Sequence, residues 1–218
     1  MDFREWANAF HAWTIETFGP GLMENSLTDH IRSEIVEIAA DPSDTEEWVD
    51  VALLSMNGAM RAILYRDGEA SADLLAGYFT HKLKRNKSRT WLKPVEGEAV
   101  RHATEAPDVA PVIEVADFDF AAFIGDLNKW ATEIAGPGPR TDSLLKHIES
   151  EVVEILADPS DPTEWVDVAM LALDGAVRVG ATPQAVVATI EAKFAKNQKR
   201  TWPDWRTADP NRALSHIR

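Results

Sequence analysis

The chain has 218 residues, 45% of them hydrophobic, with a formal net charge of -14 and no cysteine. That length and apolar content suffice for one large or two small packed domains. The charge argues against nonspecific nucleic-acid binding through phosphate neutralisation, and the missing cysteines exclude disulfides and thiolate metal sites. No apolar run reaches the roughly 18 residues of a membrane span, and the first residues, Met-Asp-Phe-Arg-Glu-Trp, lack signal-peptide features. No membrane or nucleic-acid partner is therefore expected, and a cytoplasmic location is.

In chain order, the first half predicts helices over 2–18, 25–40, 44–66 and 71–90. A stretch over 93–116 with Pro94, Pro107 and Pro111 predicts an extended linker. The second half predicts helices over 117–135, 141–157, 161–180 and 183–200, followed by an irregular tail. Gly-Pro-Gly separates the first and second helix of each set, at 19–21 and 136–138. Asp-Pro-Ser-Asp separates the second and third. Strand patterns are sparse, so the fold class is all-α.

The two halves are one unit written twice. His30 to Arg61 matches His147 to Arg178 without gaps at 22 of 32 positions. After Arg61 the first copy is six residues longer, and the copies realign at Asn86–Trp91 and Asn197–Trp202. The domain reading is a first repeat over 1–92, a linker over 93–116, a second repeat over 117–205 and a tail over 206–218.

Each repeat carries four carboxylates at one spacing. They are Glu34, Glu37, Glu47 and Asp50, then Glu151, Glu154, Glu164 and Asp167. Glu34 sits in the apolar stripe of Ile31, Ile35 and Ile38, and Glu151 in that of Ile148, Val152 and Ile155. Acids at inward positions must be neutralised, paired or bound to metal. An all-carboxylate set suits Mg2+, with Mn2+ as a substitute. Iron is disfavoured, because none of the six histidines follows a glutamate by three residues. Blander readings stand beside the metal. Glu37 and Glu154 fit the edge of a solvated face. Glu47 and Glu164 fit the return arm of a capping box opened by Asp44 and Asp161. His30 and His147 read as helix-start residues or nucleotide contacts, and Trp48 and Trp165 as core.

The fourth helix of each copy ends in a shared frame, Lys82, Asn86, Arg89 and Lys193, Asn197, Arg200. Spacing of i, i+4, i+7 puts each trio on one face, where Lys and Arg suit phosphate oxygens. The alternative is a basic last turn that complements the helix dipole. Asp174 stands where copy one has Asn57. It shares the face of Asp167 and extends a substrate site, or it forms an i, i+4 pair with Arg178.

The Glu-x2-Glu…Glu-x2-Asp pattern resembles the MazG-like all-α NTP pyrophosphohydrolases. The stretches HIESEVVEILADPSDPTEWVDVAMLALDGAVR and KFAKNQKRTWPDWR resemble the dATP/dGTP diphosphohydrolase branch found in phages. Copy one departs at Asn57 and with TWLKP for TWPDW. The resemblance implies two MazG-like four-helix units in a pseudo-dimeric bundle. It implies metal ligation by all eight carboxylates and Mg2+-dependent cleavage of a purine (d)NTP to (d)NMP and pyrophosphate. Glu34 and Glu151 are the candidate bases. Lys82, Asn86, Arg89, Asp174, Lys193, Asn197 and Arg200 are the candidate substrate contacts. Family members associate, so the tandem copy resembles a covalently linked dimer, with a further homodimer compatible. The basic helix of one copy then serves the acids of the other. The alternatives are a related dUTP or phosphoribosyl-ATP hydrolase, or a non-catalytic, metal-stabilised interaction module.

Overall fold

The structure, a computed structural model, describes residues 1–95, 97–103, 115 and 117–217. Glu96, residues 104–114 and Ala116 of the expected linker lie outside the described residues. Among the described residues eight α-helices follow in order: α1 (Phe3–Phe18), α2 (Glu24–Ala40), α3 (Thr45–Asp67), α4 (Ala72–Ser88), α5 (Phe120–Ala135), α6 (Thr141–Ala157), α7 (Pro162–Arg178) and α8 (Pro183–Gln198). Among the described residues the only β-type pairs are two isolated bridges, Trp91 with His102 and Thr201 with Ile217. The all-α class holds, and helix ends fall within three residues of those predicted.

Local chemistry sets the boundaries. Asp2, Asp44, Ser71, Asp119, Asp161 and Thr182 each cap a helix by accepting from a first-turn backbone N–H. Pro162 and Pro183 occupy first-turn positions, where no N–H is needed. The six extra residues of copy one lengthen its third helix. α3 has 23 residues and α7 has 17.

Buried arginines fix the Gly-Pro-Gly turns. Arg61 Nη1 donates to the carbonyls of Gly19 and Gly21 at 2.8 and 2.7 Å. Arg178 Nη1 makes the same bonds to Gly136 and Gly138 at 2.9 and 3.0 Å. All four glycines have positive φ, between 83 and 99°. Glycine adopts that region without a Cβ penalty.

The centre of the molecule is the α3–α7 contact, one helix from each copy. Trp48 and Trp165 are fully buried there, as the core reading expects. Each ring fills the space beside a glycine of the other copy. A Cβ on Gly175 would stand 2.2 Å from the Trp48 ring, and one on Gly58 would stand 2.1 Å from Trp165. Each indole N–H is satisfied locally, Trp48 Nε1 by Pro42 O and Trp165 Nε1 by Pro159 O, both at 3.1 Å. Gly58 and Gly175 are 117 positions apart, as are the two tryptophans. The contact is therefore reciprocal, as at the axis of a two-fold dimer.

The fourth helices lie across the divide. Phe79 of α4 packs against Phe120 and Phe123 of α5, with ring centroids 5.9 and 5.3 Å apart. Phe194 of α8 packs edge-on against Phe10 and Trp13 of α1 at 5.3 and 5.5 Å. The core is continuous through both copies.

A methyl group at the central glycines would force a buried indole to move. Gly58→Ala and Gly175→Ala are each expected to destabilise the fold by about 1–3 kcal/mol, the usual cost of overpacking, measured as urea midpoints. Gly125→Ala is the control. Its added Cβ meets only Pro183, at 3.7 Å, so that change should be neutral or stabilising by a few tenths of a kcal/mol.

Candidate active sites

Two cavities flank the central contact, one above each set of acids. The copy-one cavity is lined by Glu34, Glu37, Glu47 and Asp50 together with Lys193 and Asn197. The copy-two cavity is lined by Glu151, Asp167 and Asp174 together with Asn86, Arg89 and Trp91. Each cavity thus takes its acids from one copy and its basic frame from the other.

Within the acids, three of each quartet converge. Oxygens of Glu34, Glu37 and Glu47 lie within 4.8 Å of one another, as do those of Glu151, Glu164 and Asp167. Asp50 stands outside its trio, and Glu154 outside its own. Glu37 and Glu154 are exposed, so the solvated-edge reading describes their setting, although Glu37 still reaches the group. The capping-box alternative for Glu47 and Glu164 is not built. The N-cap amides of Asp44 and Asp161 donate instead to Asp41 O and Asp158 O, both at 3.1 Å. Both glutamates are left facing the cluster. Grouped oxygens of this kind, with no nitrogen or sulfur donor among them, fit a hard divalent cation.

His30 and His147 act on the innermost acids. His30 Nε2 is 2.9 Å from Glu34 Oε1, and His147 Nε2 is 3.0 Å from Glu151 Oε1. An imidazole in this place orients the carboxylate and favours its ionised form.

The cross-copy lysines pair with the third-helix aspartates. Lys82 Nζ lies 2.5 Å from Asp167 Oδ2 and is itself buried. Lys193 Nζ lies 2.6 Å from Asp50 Oδ2 and 3.2 Å from Glu46 Oε2. The rest of the frame forms a corner. Arg89 Nη1 donates to Asn86 Oδ1 at 3.1 Å, and Trp91 Nε1 donates to Asn86 O at 2.8 Å. The copy-two frame repeats this, Arg200 to Asn197 Oδ1 at 2.7 Å and Trp202 to Asn197 O at 3.0 Å. The asparagine side chain therefore aims the arginine, which a merely basic last turn does not require, while its backbone carbonyl seats the tryptophan.

Beyond each tryptophan the chain folds back as a strap, a feature the sequence reading missed. The described part of 93–103 lies on copy two, and 206–217 lies on copy one. Ala103 N donates to Thr90 O at 2.7 Å and Ile217 N to Thr201 O at 2.8 Å. The preceding histidines sit edge-on to the tryptophans, His102 to Trp91 at 5.8 Å and His216 to Trp202 at 6.0 Å. Ser143 Oγ donates to Glu98 O and Ser26 Oγ to Arg212 O, pinning each strap to α6 or α2. His102 and His216 line the cavities. The signal was faint, because the histidine follows Trp91 by eleven residues and Trp202 by fourteen. An ungapped comparison therefore separates them.

The two sites differ at Asp174. Its carboxylate accepts from Asn128 Nδ2 at 2.8 Å and from Arg178 Nε at 2.6 Å. The ion-pair reading thus accounts for both oxygens, although the residue also lines the cavity. In copy one the neutral Asn57 Oδ1 accepts from Arg61 Nε at 2.9 Å, and His11 stands where copy two has Asn128.

Crowded acids share protons. Burial and the neighbouring Glu34 push Glu47 up to about 7. Burial and the charges of Asp167 and Glu151 push Glu164 up to about 8. Burial also raises Asp167, to about 6, against the pull of Lys82. Burial is the largest single influence on Glu34 and Glu151 too. The His30 contact together with Glu47 and Lys193, and the His147 contact together with Lys82 and Glu164, outweigh it and hold both below the ordinary carboxyl value. The inner glutamates are therefore ionised at neutral pH, and their partners carry protons that a cation would displace.

That arrangement has a signed consequence. Glu47 and Glu164 hold protons in the fold over a range where the unfolded chain, near 4.5, has released them. Stability without divalent cation should fall as pH rises from about 5 to 8. The lowered values of Glu34 and Glu151 act below pH 4.5 and do not cancel this. Cation binding should strengthen over the same rise, since it displaces those protons. Thermal melts at pH 5.5 and 8.0, with and without Mg2+, check both signs.

The fold and its acid sites define an all-α protein with two like cavities, each built from both halves of the chain. The family described as dATP/dGTP pyrophosphohydrolase matches residues 6–109 and 123–217, both copies in turn. The chain belongs to that family, whose members are hydrolases acting on nucleoside triphosphates. It is also 36% identical over 130 residues to the Eaa protein of Salmonella phage P22, covering 59% of this chain and 35% of that protein. The chain thus spans about a third of the length of that curated relative. No solved structure matches it. Among the described residues no helix is long and apolar enough to cross a membrane.

Proposed function

We propose that the chain is a Mg2+-dependent, MazG-like pyrophosphohydrolase that cleaves dATP or dGTP to the monophosphate and pyrophosphate at two composite sites. The observation that carries this reading is the meeting of Glu34, Glu37, Glu47, the cross-copy Lys193 and an aromatic-walled chamber in the copy-one cavity. The copy-two cavity reaches Glu151 and Asp167, behind which Glu164 and Lys82 are grouped. Phe10, Trp13 and Trp202 wall the copy-one chamber, and Leu127, Trp130 and Trp91 the copy-two chamber. Flat apolar walls suit a nucleobase, and the acid end suits its metal-bound phosphates. The family description supports the purine substrate.

Mg2+, with Mn2+ as a substitute, would be held by Glu34, Glu37 and Glu47, and by Glu151, Glu164 and Asp167. When bound it supplies Lewis-acid stabilisation of phosphoryl oxygens and acidifies a water. Glu34 and Glu151, kept ionised by their histidines, accept the proton of the attacking water. The water oxygen bonds to the α-phosphorus as the bond to the bridging oxygen breaks and pyrophosphate leaves. Asp50 and Asp167 hold Lys193 and Lys82 at the site until phosphate oxygens compete for them. Arg89 and Arg200, aimed by Asn86 and Asn197, take the pyrophosphate end. Asp174 braces Arg178 and the α5–α6 turn beside the base end. The two half-bundles act as a dimer within one chain. Free nucleotide places the work in the cytoplasm of a bacterial or phage-infected cell.

A nucleotide panel with Mg2+, resolving pyrophosphate from phosphate, tests the reading. The expected outcome is pyrophosphate from dATP and dGTP, lost by about 100-fold or more when Glu34→Gln and Glu151→Gln are combined, as for removal of a general base. Consumption of dUTP alone, or no turnover with any nucleotide, would overturn it.

A further inference from the structure

One face of α6 connects the acid cluster to the far end of the copy-two cavity. Arg140, Ser143, Leu144, His147 and Glu151 follow at helical spacing, and all five line that cavity. In copy one the same line is Met23, Ser26, Leu27, His30 and Glu34. Eleven residues at about 1.5 Å each separate its two ends by about 16 Å. With phosphates at the glutamate end, the base lies toward the other. Four of the five positions carry the same residue in both copies, and the base-end position does not. It is Met23 in one and Arg140 in the other.

Both residues hold a left-handed backbone, φ 58 and 55°, and they are the only described non-glycine residues with positive φ. A Cβ there is disfavoured, and neither copy uses glycine. The side chain at this position is thus placed in the cavity by an uncommon conformation. In copy two, Arg140 Nε and Nη2 are buried and have no hydrogen-bond partner among the described residues. These two N–H groups point the same way from a guanidinium, a fork for two adjacent acceptors.

Resting on the function proposed above, we propose that Arg140 is the guanine-reading residue of the copy-two site. Its Nε–H and Nη2–H donate to O6 and N7 of guanine. Adenine offers N7 but presents a donor in place of O6, so it cannot satisfy the fork. Met23 gives the copy-one site an apolar, donor-free contact that takes adenine as well as guanine. The two sites of one chain thereby differ in base preference. Two phosphate oxygens would satisfy the same fork, and the test separates these sources.

The test compares kcat/KM for dGTP, dATP, dITP and 7-deaza-dGTP in Asp50→Asn chains, where copy one is disabled, with and without Arg140→Met or Arg140→Lys. Arg140→Met should lower the dGTP:dATP ratio by about tenfold or more, within the range of one bidentate base contact. Arg140→Lys should not restore it. With Arg140 intact, dITP, which keeps O6 and N7, should track dGTP, and 7-deaza-dGTP should not. Met23→Arg in Asp167→Asn chains should raise the dGTP preference of copy one. An equal loss for all four nucleotides assigns Arg140 to phosphate or to the fold and overturns the proposal, as does an unchanged ratio. If the wild-type chain turns over no purine nucleotide, the enzymatic reading fails by itself. The base preference is then read from equilibrium binding of dGMP against dAMP to wild type and Arg140→Met, where an unchanged ratio again overturns it.

Discussion

Everything in this molecule is placed by the reciprocal seating of Trp48 on Gly175 and Trp165 on Gly58. A tryptophan facing a residue without a Cβ lets α3 and α7 approach at their centre. Asp50 and Asp167 follow those tryptophans by two residues. At about 100° per residue they point to the opposite side of each helix. Locking the tryptophans inward therefore turns the aspartates outward, toward the fourth helix of the other copy. The central contact and the ion pairs Lys82–Asp167 and Lys193–Asp50 are two consequences of one geometry.

This geometry also answers a charge problem. A chain with a net charge of -14 gathers carboxylates in two cavities. It places one buried or half-buried lysine from the opposite copy against each set of acids. The lysine offsets the charge of the acids it faces. The straps then close each cavity with a tryptophan and a histidine that follow the same basic helix. Each site depends on the other copy for cations, for an aromatic wall and for cover.

Much of this was legible in the sequence, and the parts that were not have physical reasons. Helices, turns and the duplication follow from period and punctuation, which are local. The inward positions of Glu34 and Glu151 follow from their apolar stripes. Glu47 and Glu164 were ambiguous because a capping box and a site share one spacing; only the Asp41 and Asp158 carbonyls, which take the N-cap amides, decide it. The crossing of lysines was reachable only through the analogy with a dimer, since spacing within a copy says nothing of partners between copies. The straps were hidden in segments that read as linker and tail. Arg140 was hidden because a residue before a helix carries no pattern, and its significance lies in buried donors without acceptors among the described residues.

The central claim is that each site is shared between the copies, and a double-mutant cycle on turnover tests it most directly. Lys82→Met, Asp167→Asn and Asp50→Asn are combined in pairs. If the sites are composite, Lys82→Met and Asp167→Asn disable the same one. Together they then cost little more than either alone, and activity from the copy-one site survives. Lys82→Met with Asp50→Asn disables both sites and removes turnover. The reverse result, in which Lys82 and Asp50 behave as one site and Lys82 with Asp167 abolishes activity, would contradict the account.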